Sequence, residues 1–254
     1  MKATLRSYFE TASQQRRAFG AVAQVGWLDP SGNLDLYEAS RSAFNPSLSV
    51  DEAIRYFEKI YNELKGPGWQ VFRSRQPDVT HWSSRQVFET IKREFPEYSW
   101  GGSVNLLNFE QSGNSPRLKS ALDKMQGIKQ KKGYPHMAVS KFLHFYNPSL
   151  FPIYDRKVIW EEVFSRFKED FQDFCQSERI PYDEAINDDT ASFLLYYMGW
   201  ASSVLSAAHG TFMQVFVEWL ENQPGVELRR RQFDAATLYA TAFEFIAIGA
   251  AAVS

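Results

Sequence analysis

The chain predicts a mainly α-helical fold with few or no strands, on three observations. Apolar residues recur at helical spacing through most of its 254 residues. Helix-start signals (Ser-x-x-Glu, Ser-Pro) and helix stops (Gly-Pro-Gly, Asn-Pro) bracket those periodic stretches. Finally, the alternating pattern of a half-buried strand is almost absent. With 44% hydrophobic and 16% aromatic residues, including 21 Phe, 12 Tyr and 7 Trp, the chain can bury a substantial core.

The first 48 residues form a segment of uncertain structure, and residues 49–254 form the helical domain. Within the N-terminal segment, Gly32-Asn33 between Trp27-Leu28 and Leu34-Leu36 reads as a hairpin turn. Ser49 to Glu52 is a capping box, followed by Ile54, Phe57, Ile60, Tyr61 and Leu64 on one face and stopped by Gly66-Pro67-Gly68. Ser84 to Phe95 repeats the pattern with Val87, Phe88 and Ile91, and Pro96 ends it. Trp100 to Asn114 is rich in Gly and Asn, and reads as a short strand or a loop with one helical turn. Ser115-Pro116 opens a helix, with proline suited to a first helical position and Leu118, Leu122 and Met125 on its apolar face. Gly127 to Pro135 is a lysine-bearing loop. A helix follows to Tyr146 and ends at Asn147-Pro148. Asp155 to Cys175 reads as one helix, with Val158, Ile159, Phe164 and Phe167 as its stripe. Asp188-Asp189 caps a helix over 190–208, Thr211 to Glu221 forms the next, and Gln223-Pro224-Gly225 turns towards Arg229-Arg230-Arg231 and a last helix.

Composition limits the functional classes. A net charge of −2 makes the whole chain no polycation, so nucleic-acid binding requires a local basic patch. Cys175 is the only cysteine, which leaves no internal disulfide and no cysteine-rich zinc site. His81, His136, His144 and His209 lack metal-ligand spacing, so no metal is expected. No Gly-rich phosphate loop with a following Lys-Ser/Thr is present, and no cofactor, nucleotide or otherwise, is expected. The N-terminus lacks a signal-peptide core. Ala235 to Val253 is the most apolar stretch, but Glu244 interrupts it, which reads as a buried helix better than a membrane span. A cytoplasmic protein without membrane contact is the expectation.

The segment Ala138 to Val158, AVSKFLHFYNPSLFPIYDRKV, carries the chemistry. An aspartate at a helix start ordinarily caps free amides, a contribution of about 0.5–2 kcal/mol. Here the stiff apolar approach Phe151-Pro152-Ile153-Tyr154 would instead carry the Asp155 carboxylate to the end of a packed element. A carboxylate so held can stabilise positive charge or take a proton from water. Asp155-Arg156-Lys157 also spells the Asp-x-Lys of some metal-dependent nucleases, which place it on a strand.

The order of helix, loop, Pro152-Ile153-Tyr154-Asp155 and helix resembles the helix-hairpin-helix DNA glycosylase superfamily, in its 8-oxoguanine-glycosylase-like branch. Leu118 to Met125 and Met137 to Phe145 resemble the two hairpin helices, so the hairpin spans about 116–146 and the matched part about 118–160. The resemblance implies a multi-helix glycosylase-like fold, double-stranded DNA as partner, a base flipped from the duplex, and Asp155 as the catalytic carboxylate. The base is open: a damaged purine is the family's usual substrate, and a modified base in phage DNA, removed in antiviral defence, is the other option. The chain departs from the pattern at Gly133-Tyr134-Pro135, where Pro135 replaces a second glycine and removes an amide donor. No lysine stands near Met137, where some members carry a catalytic one. Lys141 lies one turn on and is the candidate Schiff-base nucleophile. Lys129, Lys131, Lys132, Gly133, Arg156 and Lys157 are the candidate DNA contacts, with Lys124 beside them. Tyr146 and Tyr154 are candidate base-pocket aromatics, and Trp100, Phe109, Trp200 and Phe212 offer further ring surfaces. The competing class is a non-catalytic helical module that binds DNA or protein on the same fold.

Overall fold

The computed structural model describes the chain except residues 1–3, 23–29, 67–70, 73–79, 110, 131–132, 188, 207, 209, 229–230 and 232, and the side chains of 30–31 and 111–115. The fold is all-α, and no strand occurs among the described residues. The helices are α1 (Ala12–Val22), α2 (Pro30–Ala43), α3 (Val50–Lys65), α4 (Ser84–Glu94), α5 (Gln111–Lys124) and α6 (His136–Tyr146), then a wide π-helix (Arg156–Phe164). After it come α7 (Lys168–Ser177), α8 (Tyr182–Ala185), α9 (Ser192–Ser206), α10 (Phe212–Glu221) and α11 (Tyr239–Val253).

Two capping boxes fix helix starts. Ser49 and Glu52 exchange side-chain and backbone hydrogen bonds at the head of α3, and Ser83 and Gln86 do the same for α4. The apolar faces read from periodicity are buried: Ile54, Phe57, Ile60, Tyr61 and Leu64 on α3, and Val87, Phe88 and Ile91 on α4.

Two sequence expectations are corrected, and one that stood between a strand and a loop is decided for the loop. Gly32 and Asn33 are not a hairpin turn but part of α2, whose Leu34, Tyr37 and Ser40 are buried at three-residue spacing along one face. Residues 100–109 form no strand but a series of turns, pinned where the Leu106 amide donates to the Ser149 carbonyl. The helix expected from Asp155 to Cys175 is broken at Phe167. Its first part winds wider than an α-helix because its buried residues pair at a spacing of five, Val158 with Val163 and Ile159 with Phe164, which matches i→i+5 hydrogen bonding.

α11 lies at the centre, buried from Ala240 to Ala251. A helix apolar on all sides belongs inside a core, and no helix among the described residues is long and apolar enough to cross a membrane. α1 packs along one side of α11 and the π-helix along another. The segment before residue 49 therefore contributes two helices to the packing, α1 on α11 and α2 on α3 and α6.

Candidate functional site

α6 places four polar side chains in an otherwise apolar helix: His136, Ser140, Lys141 and His144, all buried. His136, Ser140 and His144 are spaced by four and share a face, and each binds main chain. The His136 Nε2 atom lies 2.8 Å from the Thr190 carbonyl oxygen. Ser140 Oγ accepts from the Tyr154 amide at 3.0 Å and lies 3.3 Å from the Tyr154 carbonyl. His144 Nδ1 lies 2.8 Å from the Phe151 carbonyl, which can only accept, so Nδ1 carries the proton.

The Ser140 and His144 contacts hold residues 151–155 as an extended strap across α6. The other side of the strap is held by α11 and α9. The Ile153 amide donates to Glu244 Oε1 at 2.5 Å, and Tyr197 Oη donates to the Ile153 carbonyl at 3.2 Å. Pro152 has no amide to satisfy. A strap with no helix or sheet ladder thus has the Phe151 carbonyl and the backbone groups of Ile153 and Tyr154 satisfied by side chains, while the Phe151 amide donates to the Asn147 carbonyl at 3.1 Å. Glu244 Oε1 is also 3.1 Å from His144 Nδ1. On the far side of the ring, His144 Nε2 lies 2.6 Å from Tyr37 Oη, which lies 2.8 Å from Thr241 Oγ1. Burial, then the Glu244 carboxylate, raises the hydroxyl pKa values of Tyr37 and Tyr197 well above the ordinary 10.0.

Asp155 stands at the end of this strap, directly before the π-helix. Its Oδ1 accepts from the Lys157 amide at 3.0 Å, so it does cap its helix. Its Oδ2 faces Lys141 Nζ at 3.0 Å, an ion pair between residues fourteen apart in sequence. The Lys141 side chain is 4% exposed and that of Asp155 25%, so the lysine lies beneath the carboxylate and the carboxylate keeps an open side. The Asp155 carbonyl receives the Ile159 and Trp160 amides, starting the wide helix.

The remaining sequence-selected residues separate. Arg156 and Lys157 are exposed beside Asp155, and no described carboxylate pairs with either. Lys124 is exposed near the end of α5. Lys129 is only 8% exposed, in a single bridge to His81, and offers little area to a phosphate. Lys131 and Lys132 lie outside the described residues. Gly133 has φ +77°, a left-handed turn that suits glycine before Tyr134 enters the core. Tyr134 Oη then donates to the Leu122 carbonyl at 2.5 Å, which ties the loop to α5. Arg231 is paired with Asp35 and Glu38; Arg229 and Arg230 lie outside the described residues.

The two candidate pocket tyrosines are not brought together. Tyr154 is buried under the strap against Phe193, ring centroids 4.9 Å apart. Tyr146, at the other end of α6, lines a cleft of about 400 Å³ with Arg41, Phe44, Ser99 and Trp100. Burial raises the pKa of its hydroxyl above the ordinary value. Phe109, Trp200 and Phe212 are core residues.

Sequence reasoning missed His144, Ser140 and Glu244 as parts of this site. The signal was present: polar residues at four-residue spacing in an apolar helix, and one glutamate in a helix of Ala, Ile and Phe. No described group of three or more His, Cys, Asp or Glu side chains forms a metal-binding cluster.

No protein-family model, curated protein or solved structure matches the chain.

Proposed function

We propose that this chain is a DNA glycosylase that hydrolyses the N-glycosidic bond of a damaged or modified base and leaves an abasic site. The observation that carries this reading is Asp155: a carboxylate on a strap held by side chains from three helices, backed by a buried lysine and open on one side. Such a group needs no reorganisation as charge develops. With a base flipped out and its sugar against the open side, Asp155 stabilises the oxocarbenium character at C1′ and accepts a proton from the attacking water. Lys141 holds Oδ2 and orients the carboxylate. Its ammonium is engaged by Asp155, so the reading favours direct hydrolysis over a Schiff base and strand cleavage. Arg156 and Lys157 supply phosphate contacts on the exposed side. The proposed substrate range is that implied by the resemblance, a damaged purine or a modified base of phage DNA.

The test incubates duplexes carrying candidate bases, hypermodified phage DNA included, with the protein and then with alkali. The expected result is alkali-dependent breaks that fall at least about 10²-fold in Asp155→Asn. No abasic product on any of these DNAs overturns the reading.

One observation favours a second reading, a non-catalytic helical module that binds DNA: both carboxylate oxygens of Asp155 already have partners, one of them an amide of the helix it caps. DNA binding that survives Asp155→Asn without any abasic product, and collapses in Arg156→Ala/Lys157→Ala, would establish it.

A further inference from the structure

Glu244 and His144 lie outside the chemistry just proposed, yet both end on the strap that carries Asp155. Glu244 reaches from α11 to the Ile153 amide at 2.5 Å, two residues before Asp155. His144 reaches from α6 to the Phe151 carbonyl at 2.8 Å, and the two side chains meet at 3.1 Å. Both are almost fully buried. A carboxylate in a helix otherwise made of small and apolar residues has a high desolvation cost. The bonds it makes here go to the strap amide and to the histidine that holds the strap carbonyl. Tyr37, backed by Thr241, closes the far side of the imidazole and fixes the ring plane.

We infer that Glu244 and His144 form a positioning clamp that sets the height of the Asp155 carboxylate over Lys141. This use of the clamp in base release rests on the glycosylase reading above; its geometric part does not. An extended strap has no helical or sheet ladder to define its register. Loss of the Glu244 acceptor leaves the buried Ile153 amide unpaired, and the strap relaxes towards another partner. A displacement of about 1 Å at a reacting group costs on the order of 10²-fold in rate. The clamp touches neither DNA nor the reacting atoms, so its loss lowers kcat and leaves KM in place.

Two readouts separate the clamp from the reaction. Zero-length carbodiimide coupling joins a carboxyl to an amine only in direct contact, so it reports the Lys141–Asp155 pair by peptide mass spectrometry without any substrate. The expected cross-link is strong in the wild type and in Glu244→Gln, whose amide oxygen still accepts from Ile153. It falls at least tenfold in Glu244→Leu. Glu244→Asp keeps the charge, shortens the reach by one methylene and gives the same fall where the leucine variant does not fold. On a DNA that the wild type processes, kcat falls about 10²-fold in the variants that lose the cross-link, KM is unchanged, and Glu244→Gln restores the rate. A folded Glu244→Leu or Glu244→Asp protein with full cross-linking, or one that loses rate through KM alone, overturns the clamp. Loss of the cross-link in a chain whose wild type releases no base keeps the clamp and overturns the glycosylase reading alone.

Discussion

α11 meets its neighbours in two different ways along a single helix. Towards its C-terminal end it touches α1 through Gly249, where an added Cβ would lie 1.9 Å from the Ala18 carbonyl oxygen. Towards its N-terminal end it meets α6, α2 and the strap through Thr241 and Glu244, in hydrogen bonds to side chains and main chain. The first contact depends on shape: two backbones approach because nothing stands between them. The second depends on direction: each donor must find its acceptor across a desolvated gap. A shape contact tolerates no added volume but is indifferent to protons. A directional contact tolerates similar volume but not a lost acceptor.

The largest expected effect breaks the shape contact. In Gly249→Val, the new side chain collides with backbone, which cannot rotate away as a flexible side chain would. We expect a loss of about 3 kcal/mol or more and a melting temperature lower by roughly 6–12 °C, read by calorimetry. The loss should be nearly the same at pH 6 and pH 9, since no titratable group lies at the contact. A melting temperature within a degree or two of wild type would mean that α1 does not sit against Gly249.

A smaller effect is expected at the outer end of the polar region. Lys141→Met keeps the buried stem and removes the ammonium. Asp155 keeps its cap on the Lys157 amide and its open side, so it is not left as an isolated buried charge. The expected cost is about 1–3 kcal/mol, below that of breaking a fully buried pair, by urea denaturation. Base release should persist at a rate lowered about tenfold, because the lysine orients the carboxylate and does not attack the sugar. Borohydride added during turnover should trap no covalent DNA adduct with the wild type. A trapped adduct that disappears in Lys141→Met would make the lysine the nucleophile instead.

The two contacts also differ in how much of each the sequence discloses. Helix faces such as Ile54, Phe57, Ile60, Tyr61 and Leu64 are legible because burial of a helix stripe repeats locally. The capping box at Ser49 is legible for the same reason, since both partners sit within four residues. The Ala-Gly run of α11 already suggests close packing. The polar region is different. Lys141 and Asp155 lie within one short stretch of sequence, fourteen residues apart, but the partner of Ile153 is 91 residues away. Nothing in a glutamate surrounded by Ala and Phe names the amide it will meet. The π-helix was hidden because Val158, Ile159, Phe164 and Phe167 also fit an ordinary helical stripe. Its spacing of five shows only when Val163 is included and Phe167 is set apart. Lys129 read as an exposed loop cation because a bridge between two distant short segments leaves no periodic trace.

The smallest effect concerns protons in the polar region. Tyr197 is fully enclosed and its hydroxyl donates to the Ile153 carbonyl. Burial first, then the charge of Glu244 and the neighbouring Tyr154, raises its pKa well above 10.0. Its protonated form is favoured by folding, so the linked stability is fully present below the unfolded value near pH 10. That stability is lost as pH rises from there through the raised folded value. Tyr197→Phe removes one such group and one hydrogen bond. At pH 7 the variant should be less stable by about 1 kcal/mol. Above pH 10 it should lose stability less steeply than the wild type, so the gap narrows and closes. Tyr37, enclosed beside the same carboxylate, keeps part of the alkaline dependence in both proteins. Denaturation midpoints taken from pH 7 to pH 11 decide the matter. A gap that stays constant across that range would mean that Tyr197 is not held protonated by its enclosure, and the contrast between a proton-indifferent seam and a proton-linked one would fail at this residue.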